Sequence, residues 1–390
     1  IYFSFEFYGL VYGLRGAQAD YTYDASHIRL RPGFTLANSD MKAVFRLEID
    51  QNFGRGDNTK DADPGTDNYA VEVKHAYFET SESMLNGLIL MAGLNSYSFP
   101  VVVDNDFALI QASYNFGLVK PVLSLLTIDE YSEVEQTAAG VEQDTDCRAY
   151  AADIPFIYRG FGIRTGVMHI VGGGGSPTFS EGRVTNIAVN VTGDVGFALL
   201  DASGAYMTGD LNSTTETNSY SFDAELAIKP AKGIRLGGFI TFGSGDDGSD
   251  ASEYNSYFYI MNNLLGSTTS KSGAPDGRLL LFENATVANS LTGMPASVFD
   301  YMDDPLGYMS YGGYAEAEIG NFTALAQFGM AFLVEEDANG KNAIGSEIDL
   351  KVSYGIAPST SVFAEGAYII AADVIEDNAY QAAFGMTTEF

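Results

Sequence analysis

The sequence predicts an all-β fold: a single transmembrane, antiparallel, up-and-down barrel over residues 1–390, with about eighteen strands, or sixteen as the alternative count. Three observations lead there. Apolar residues recur at every second position, the alternating segments run to about ten to twelve residues, and the connections between them alternate short and long.

Alternation comes first, because a period of two places successive side chains on opposite faces of a strand. Ile28, Leu30, Pro32, Phe34 and Leu36 share one face, against Arg29, Arg31, Gly33 and Thr35. The next segment sets Met41, Ala43, Phe45, Leu47 and Ile49 against Lys42, Val44, Arg46, Glu48 and Asp50. Tyr220, Phe222, Ala224, Leu226 and Ile228 repeat the pattern, as do Ile348, Leu350 and Val352. Soluble strands alternate too, but they average about five or six residues, too short for a tilted strand to cross hydrocarbon.

Connections supply the third signal. Short ones fall near 37–40, 81–86, 117–120, 159–160, 193–194, 230–233, 320–321 and 357–360. Long ones fall near 14–24, 52–67, 96–106, 129–147, 172–182, 208–218, 244–307, 334–343 and 372–378. That is the pattern of short periplasmic turns and long extracellular loops. Lipid cannot satisfy an open sheet edge, so the first and last strands are expected to pair. Pro32, Pro121 and Pro155 should mark bulges or strand ends, because proline lacks a ladder donor. The last segment places Tyr380, Ala382, Phe384, Met386, Thr388 and Phe390 on one face. A terminal Phe390 on such a strand resembles the assembly signal of bacterial outer-membrane proteins, although Thr388 departs from it.

Composition narrows the function. A net charge of −31 excludes nucleic-acid binding, which needs a basic surface. The single cysteine, Cys147, excludes an internal disulfide and reads as a free loop thiol. No run of about 18 apolar residues is present, so a helical span is excluded. The chain opens directly on a strand pattern and reads as a mature or trimmed form. Trp is absent, so Tyr would have to serve alone at the membrane interfaces.

Acid concentrates in the long connections 129–147 and 244–307, which would form a cation-attracting vestibule or loosely bind divalent cations bridging lipopolysaccharide phosphates. Bases behave differently. Arg29, Arg31, Lys42, Arg46 and Lys74 share lumen parity on neighbouring strands and are expected to form one basic patch on the inner wall, with Glu48 and Glu72 inside it. If the connection 96–106 folds inward, Asp104 and Asp106 would face that patch across a constriction.

Resemblance to a known family enters at this segment. Gly93-Leu94-Asn95, Phe99-Pro100, Asp104-Asn105-Asp106, Ala108-Leu109-Ile110 and Tyr114-Asn115-Phe116, followed after an acidic stretch by Ala151–Phe156, resemble homotrimeric porins of sulfate-reducing and related Gram-negative bacteria. The resemblance implies a trimer in the outer membrane, each barrel passing small hydrophilic solutes, with no cofactor and no chemistry. Carried over to this chain, it makes Phe99, Pro100, Asp104 and Asp106 candidate constriction residues. Lipid and lipopolysaccharide would be the surroundings.

Histidines add little. His75 has outward parity, unfavourable against lipid, and is expected at a subunit interface. His27 falls on the lumen parity and His169 on the outward one, and no two histidines have metal-ligand spacing. No base stands beside a nucleophile, so an enzyme is not expected. Three functions remain: a diffusion channel with weak cation preference, a channel specific for small anions such as carboxylates gripped by the basic patch, or an acidic structural barrel. The cation preference follows because lumen-parity acids, among them Glu6, Asp50, Asp153, Asp223, Glu225, Glu316, Glu318, Glu347, Asp349 and Glu365, outnumber the bases.

Overall fold

The computed structural model describes residues 2–14, 21–54, 70–100, 103–129, 147–172, 182–258, 260, 279, 304–375 and 378–389. Among them run eighteen strands: β1 (Tyr2–Leu14), β2 (Tyr21–Ala37), β3 (Met41–Gly54), β4 (Ala70–Thr80), β5 (Leu88–Phe99), β6 (Val103–Tyr114), β7 (Val122–Asp129), β8 (Cys147–Tyr158), β9 (Phe161–Gly172), β10 (Gly182–Asp194), β11 (Ala198–Asp210), β12 (Glu216–Ala231), β13 (Ile234–Gly243), β14 (Tyr308–Ile319), β15 (Phe322–Leu333), β16 (Ala343–Ala357), β17 (Thr360–Ala371) and β18 (Ala379–Glu389). Each pairs antiparallel with its sequence neighbours, and β18 pairs with β1, so the sheet closes on itself and leaves no edge. Seven of the eight short connections coincide with those the sequence marks, and the eighth, marked at 193–194, falls at 195–197, just past the end of β10.

The prolines sit where a missing donor costs least. Around Pro32 the β2–β3 ladder jumps from Leu30↔Ile49 to Gly33↔Arg46. Pro121 immediately precedes β7, and Pro155 lies past the last β7–β8 pair, Val122↔Asp153.

Outward positions form an apolar wall. Leu123, Leu125, Ile187, Leu226, Ile348, Leu350 and Phe384 are all exposed there. Two bands of aromatic residues border it: Tyr150, Tyr206, Tyr220, Tyr311, Tyr368 and Tyr380 towards the long connections, and Tyr158, Phe161, Phe197, Phe322 and Tyr354 towards the short turns. Tyr150 and Tyr158 lie eight residues apart on β8, about 26 Å of strand. At a tilt of 35–45° that spans roughly 20 Å, close to the height of a lipid-facing belt. Tyr and Phe thus take the interfacial place that Trp often holds.

Two segments depart from the wall and fill part of the interior. The first is the β5–β6 hairpin. Pairing with β4 ends at Ala76↔Leu94 and pairing with β7 begins at Ala108↔Thr127, so, among the described residues, 95–100 and 103–107 have no ladder partner in the wall. They nonetheless pair with each other, from Asn95↔Phe107 to Phe99↔Val103. The span 96–106, expected as a loop, is therefore mostly a two-stranded ribbon, Ser96–Phe99 belonging to β5 and 103–106 to β6. Its alternating polar and aromatic residues (Ser96, Tyr97, Ser98, Phe99) suit a ribbon that buries one face. Departure happens at Gly93, whose φ of +132° and closeness to the Ala76 carbonyl exclude any side chain.

The second is the described part of the connection 244–307, chiefly 244–258 with Ile260 and Leu279. Its residues Tyr257, Phe258, Ile260 and Leu279 are buried in one apolar cluster with inward residues of β10, β11, β14, β15 and β17. Tyr257 donates its hydroxyl hydrogen to Asn186 Oδ1 on β10 at 3.4 Å, having crossed the inner faces of two strands. Leu279 packs on Gly329 of β15, where a Cβ would lie 2.7 Å from the leucine Cδ2. Near the start of this connection, Asp246, Asp247 and Asp250 accept backbone hydrogen bonds from Gly248, Ser249 and Ser252 at 2.7–2.9 Å. Hydrogen bonds from the Ser249 and Ser252 hydroxyls, together with those backbone bonds, hold the Asp247 and Asp250 carboxyls below the usual aspartate range.

Candidate functional site

Glu48 of β3 is the centre of the charged inner wall. It is 3% exposed, and three cations from two other strands converge on it. Arg29 Nε lies 3.6 Å from Oε1, Lys74 Nζ lies 3.7 Å from the same oxygen, and Arg31 Nε donates to Oε2. The gathering follows from register. Arg29 and Arg31 occupy successive inward positions of β2, and Glu48 is inward on β3 opposite them. Lys74 comes from β4 and also reaches Glu72 at 3.6 Å. A buried carboxylate with several cations is the arrangement in which charge can be carried on an inner wall without an isolated ion.

Asp106 brings the ribbon into this cluster. Its Oδ2 accepts from Lys74 Nζ at 2.8 Å, and its Oδ1 lies 3.9 Å from His75 Nε2. His75 therefore faces the interior, and the outward parity that suggested a subunit interface is overturned. A register shift between Arg46↔His75 and Leu47↔Val73 inserts Lys74 as an extra residue on β4. Past that bulge, inside and outside exchange, so Val73 and Phe78 point outward while His75 and Tyr77 point inward.

The expected single basic patch divides in two. Arg29, Arg31 and Lys74 surround Glu48, with Arg46 next to it along the inward face of β3. Lys42 stands apart, towards the short turns, with its Nζ 2.9 Å from Glu79 Oε1 and 5.9 Å from the Tyr77 ring centre. Phe99 does not line a passage, being 1% exposed on the buried face of the ribbon. The Asp104 side chain, Phe390, and the acidic stretch 130–146 lie outside the described residues. Cys147 is no loop thiol: it opens β8 and is buried.

Across the ring, β12 stands nine strands from β3 and so faces it. Inward side chains on β11–β17 include Asp201, Asp223, Glu225, Glu316 and Glu365, against Lys229, Arg235 and Lys351. All three bases are paired, Lys229 with Asp194 at 3.0 Å, Arg235 with Glu316 at 2.6 Å and Lys351 with Glu365 at 2.9 Å, and Tyr314 donates its hydroxyl hydrogen to Glu225. One wall thus carries concentrated base and the facing wall an excess of acid. Sequence reading missed Arg164 of β9, whose guanidinium holds Asp153 through Nε at 3.1 Å and Nη2 at 3.0 Å. Lumen parity at residue 164, beside an acid at 153, was the available signal. Among the described residues no group of three or more His, Cys, Asp or Glu is placed to hold a metal ion.

No protein-family profile and no curated protein matches the sequence. Solved structures do match by fold. OccK9 (OpdG) of Pseudomonas aeruginosa superposes with a TM-score of 0.61 at 11% identity, over 100% of this chain and 98% of that one. OccK10 (OpdN) of the same organism gives 0.60 at 11%, over 100% and 98%. OccAB4 of Acinetobacter baumannii gives 0.58 at 8%, over 100% and 97%. At such identities the likeness is one of fold: a closed outer-membrane-type barrel traced from end to end.

Proposed function

We propose that this chain is an outer-membrane porin of a Gram-negative bacterium, a water-filled channel for passive diffusion of small hydrophilic solutes and ions, with weak cation preference. The observation that carries the reading is the β5–β6 ribbon. It leaves an otherwise continuous wall to stand inside the barrel, and its Asp106 joins the Lys74–Glu48 cluster there. A barrel needed only as a wall would have no use for a ribbon held in its interior by charge. The fold neighbours, which are outer-membrane porins, agree with this reading. Cation preference is supported by the acid excess on β11–β17 and by the net charge of −31. Screening confines each charge to roughly 8 Å in physiological salt, so the walls nearest a solute dominate. As the family resemblance implies, the barrel works as a homotrimer in lipid and lipopolysaccharide, with divalent cations drawn loosely to the acidic outer connections.

A second reading, a channel selective for small anions such as carboxylates, is favoured by one observation: Arg29, Arg31 and Lys74 converge on a single carboxylate. Proteoliposome swelling separates the two. Diffusion predicts uptake that falls smoothly with solute size and is not saturable. Anion selectivity predicts saturable uptake of small carboxylates, and an impermeable vesicle contradicts both. Within the diffusion reading, Arg29→Glu with Arg46→Glu is expected to move the reversal potential in a KCl gradient further towards cations. An unchanged potential would remove the basic wall from the passage.

A further inference from the structure

Residues 95–99 and 103–107 form a two-stranded ribbon that has no wall partner among the described residues, and a ribbon of that kind is marginally stable by itself. Its place inside the barrel must come from side-chain anchors. One is Lys74 to Asp106 at 2.8 Å, from the β4 side. The other lies towards the opposite end of the ribbon, at its tip. There Arg164 Nη2 donates to the Ser98 carbonyl oxygen at 2.6 Å. The same guanidinium is fixed from behind by both oxygens of Asp153, a carboxylate 2% exposed, and lies 5.9 Å from the Phe99 ring centre. Gly166, two residues further along β9, leaves the hollow Phe99 occupies, since a Cβ there would fall 2.7 Å from Phe99 Cε2.

We propose that Arg164 is the positioning residue that fixes the tip of the β5–β6 ribbon within the lumen and thereby sets the width of the passage. The inference rests on the channel reading above. Its chemistry needs arginine in particular. A planar fork can clasp a carboxylate with two donors and still present an N–H to a backbone carbonyl, which a lysine ammonium on a flexible stem cannot do with the same geometry. Asp153 orients that fork, and the Phe99 ring packs near it. With the clasp removed, the ribbon keeps its Asp106 anchor and the packing of Phe99 but loses the polar hold at Ser98, and that end is free to move away from β8–β9.

Single-channel recording in planar bilayers tests this on the purified full chain. Arg164→Ala is expected to raise mean conductance about twofold and to add flicker between levels, as expected when a constriction in a charged pore loosens. Arg164→Lys should lie between Ala and the parent. Phe99→Ala alters no charge yet should move conductance in the same direction, which separates positioning from loss of a wall cation. Lys232→Ala, in the exposed turn between β12 and β13, should leave the parent value unchanged. If Arg164→Ala fails to assemble, Phe99→Ala decides the matter. The inference is overturned if Phe99→Ala conducts as the parent does, or if Arg164→Ala shifts only the reversal potential. A silent parent protein would instead overturn the channel reading itself.

Discussion

Replacing Leu350 by Arg is expected to destabilise the folded barrel by about 2–4 kcal/mol, the depth-dependent cost of a cation on the lipid face near the midplane. Leu350 is 58% exposed in the middle of β16, paired with Ala326 on one side and Gly366 on the other. Ser353, three residues along the same strand, has the opposite parity, and Ser353→Arg should fold nearly as the parent does. Urea titration of both variants refolded into lipid vesicles checks the contrast. Equal destabilisation of the two would mean that the faces of β16 are assigned wrongly, and with them the register of the ring, since one residue of slip exchanges every inward and outward side chain.

Glu48→Gln carries the second large effect. Neutralising a 3%-exposed carboxylate leaves Arg29, Arg31 and Lys74 without their shared counter-charge. Removing one partner of a buried ion cluster costs about 3–5 kcal/mol. Because all three cations keep contact with lumen water, about 2–3 kcal/mol is the expectation here. The local balance changes as well. Four cations, counting Arg46, face Glu48, Glu72 and Asp106 in the parent and only two carboxylates in the variant. Reversal potential should therefore move towards anions, opposite in sign to Arg29→Glu with Arg46→Glu. A Glu48→Gln protein with the parent's urea midpoint and potential would show that the cluster neither stabilises the wall nor borders the passage.

Much of this was legible from residue order alone. Most strand positions and seven of the eight short turns follow from period-two alternation, because a barrel wall repeats the same inside–outside demand at every strand. Charged lumen residues on β2 and β3 were legible for the same reason. His75 was not: a bulge adds one residue and silently exchanges the faces, and nothing in the pattern Val73-Lys74-His75-Ala76 marks where. The span 96–106 looked like a loop because its strands leave the wall and lose the apolar outward face by which strands are recognised. Arg164 escaped notice because its meaning lies in Ser98 and Asp153, residues distant in sequence that only the folded ring brings together. The inward packing of Tyr257 and Leu279 had a partial signal in the short apolar runs of 244–307, but their partners on β10 and β15 did not.

Insertion of the purified protein into a planar lipid bilayer bears on the whole account at once. A closed ring with an apolar outer belt, a charged interior and an internal ribbon predicts discrete current steps, linear in voltage, with a reversal potential on the cation side in a KCl gradient. Protein that inserts as a folded barrel yet passes no current would contradict it.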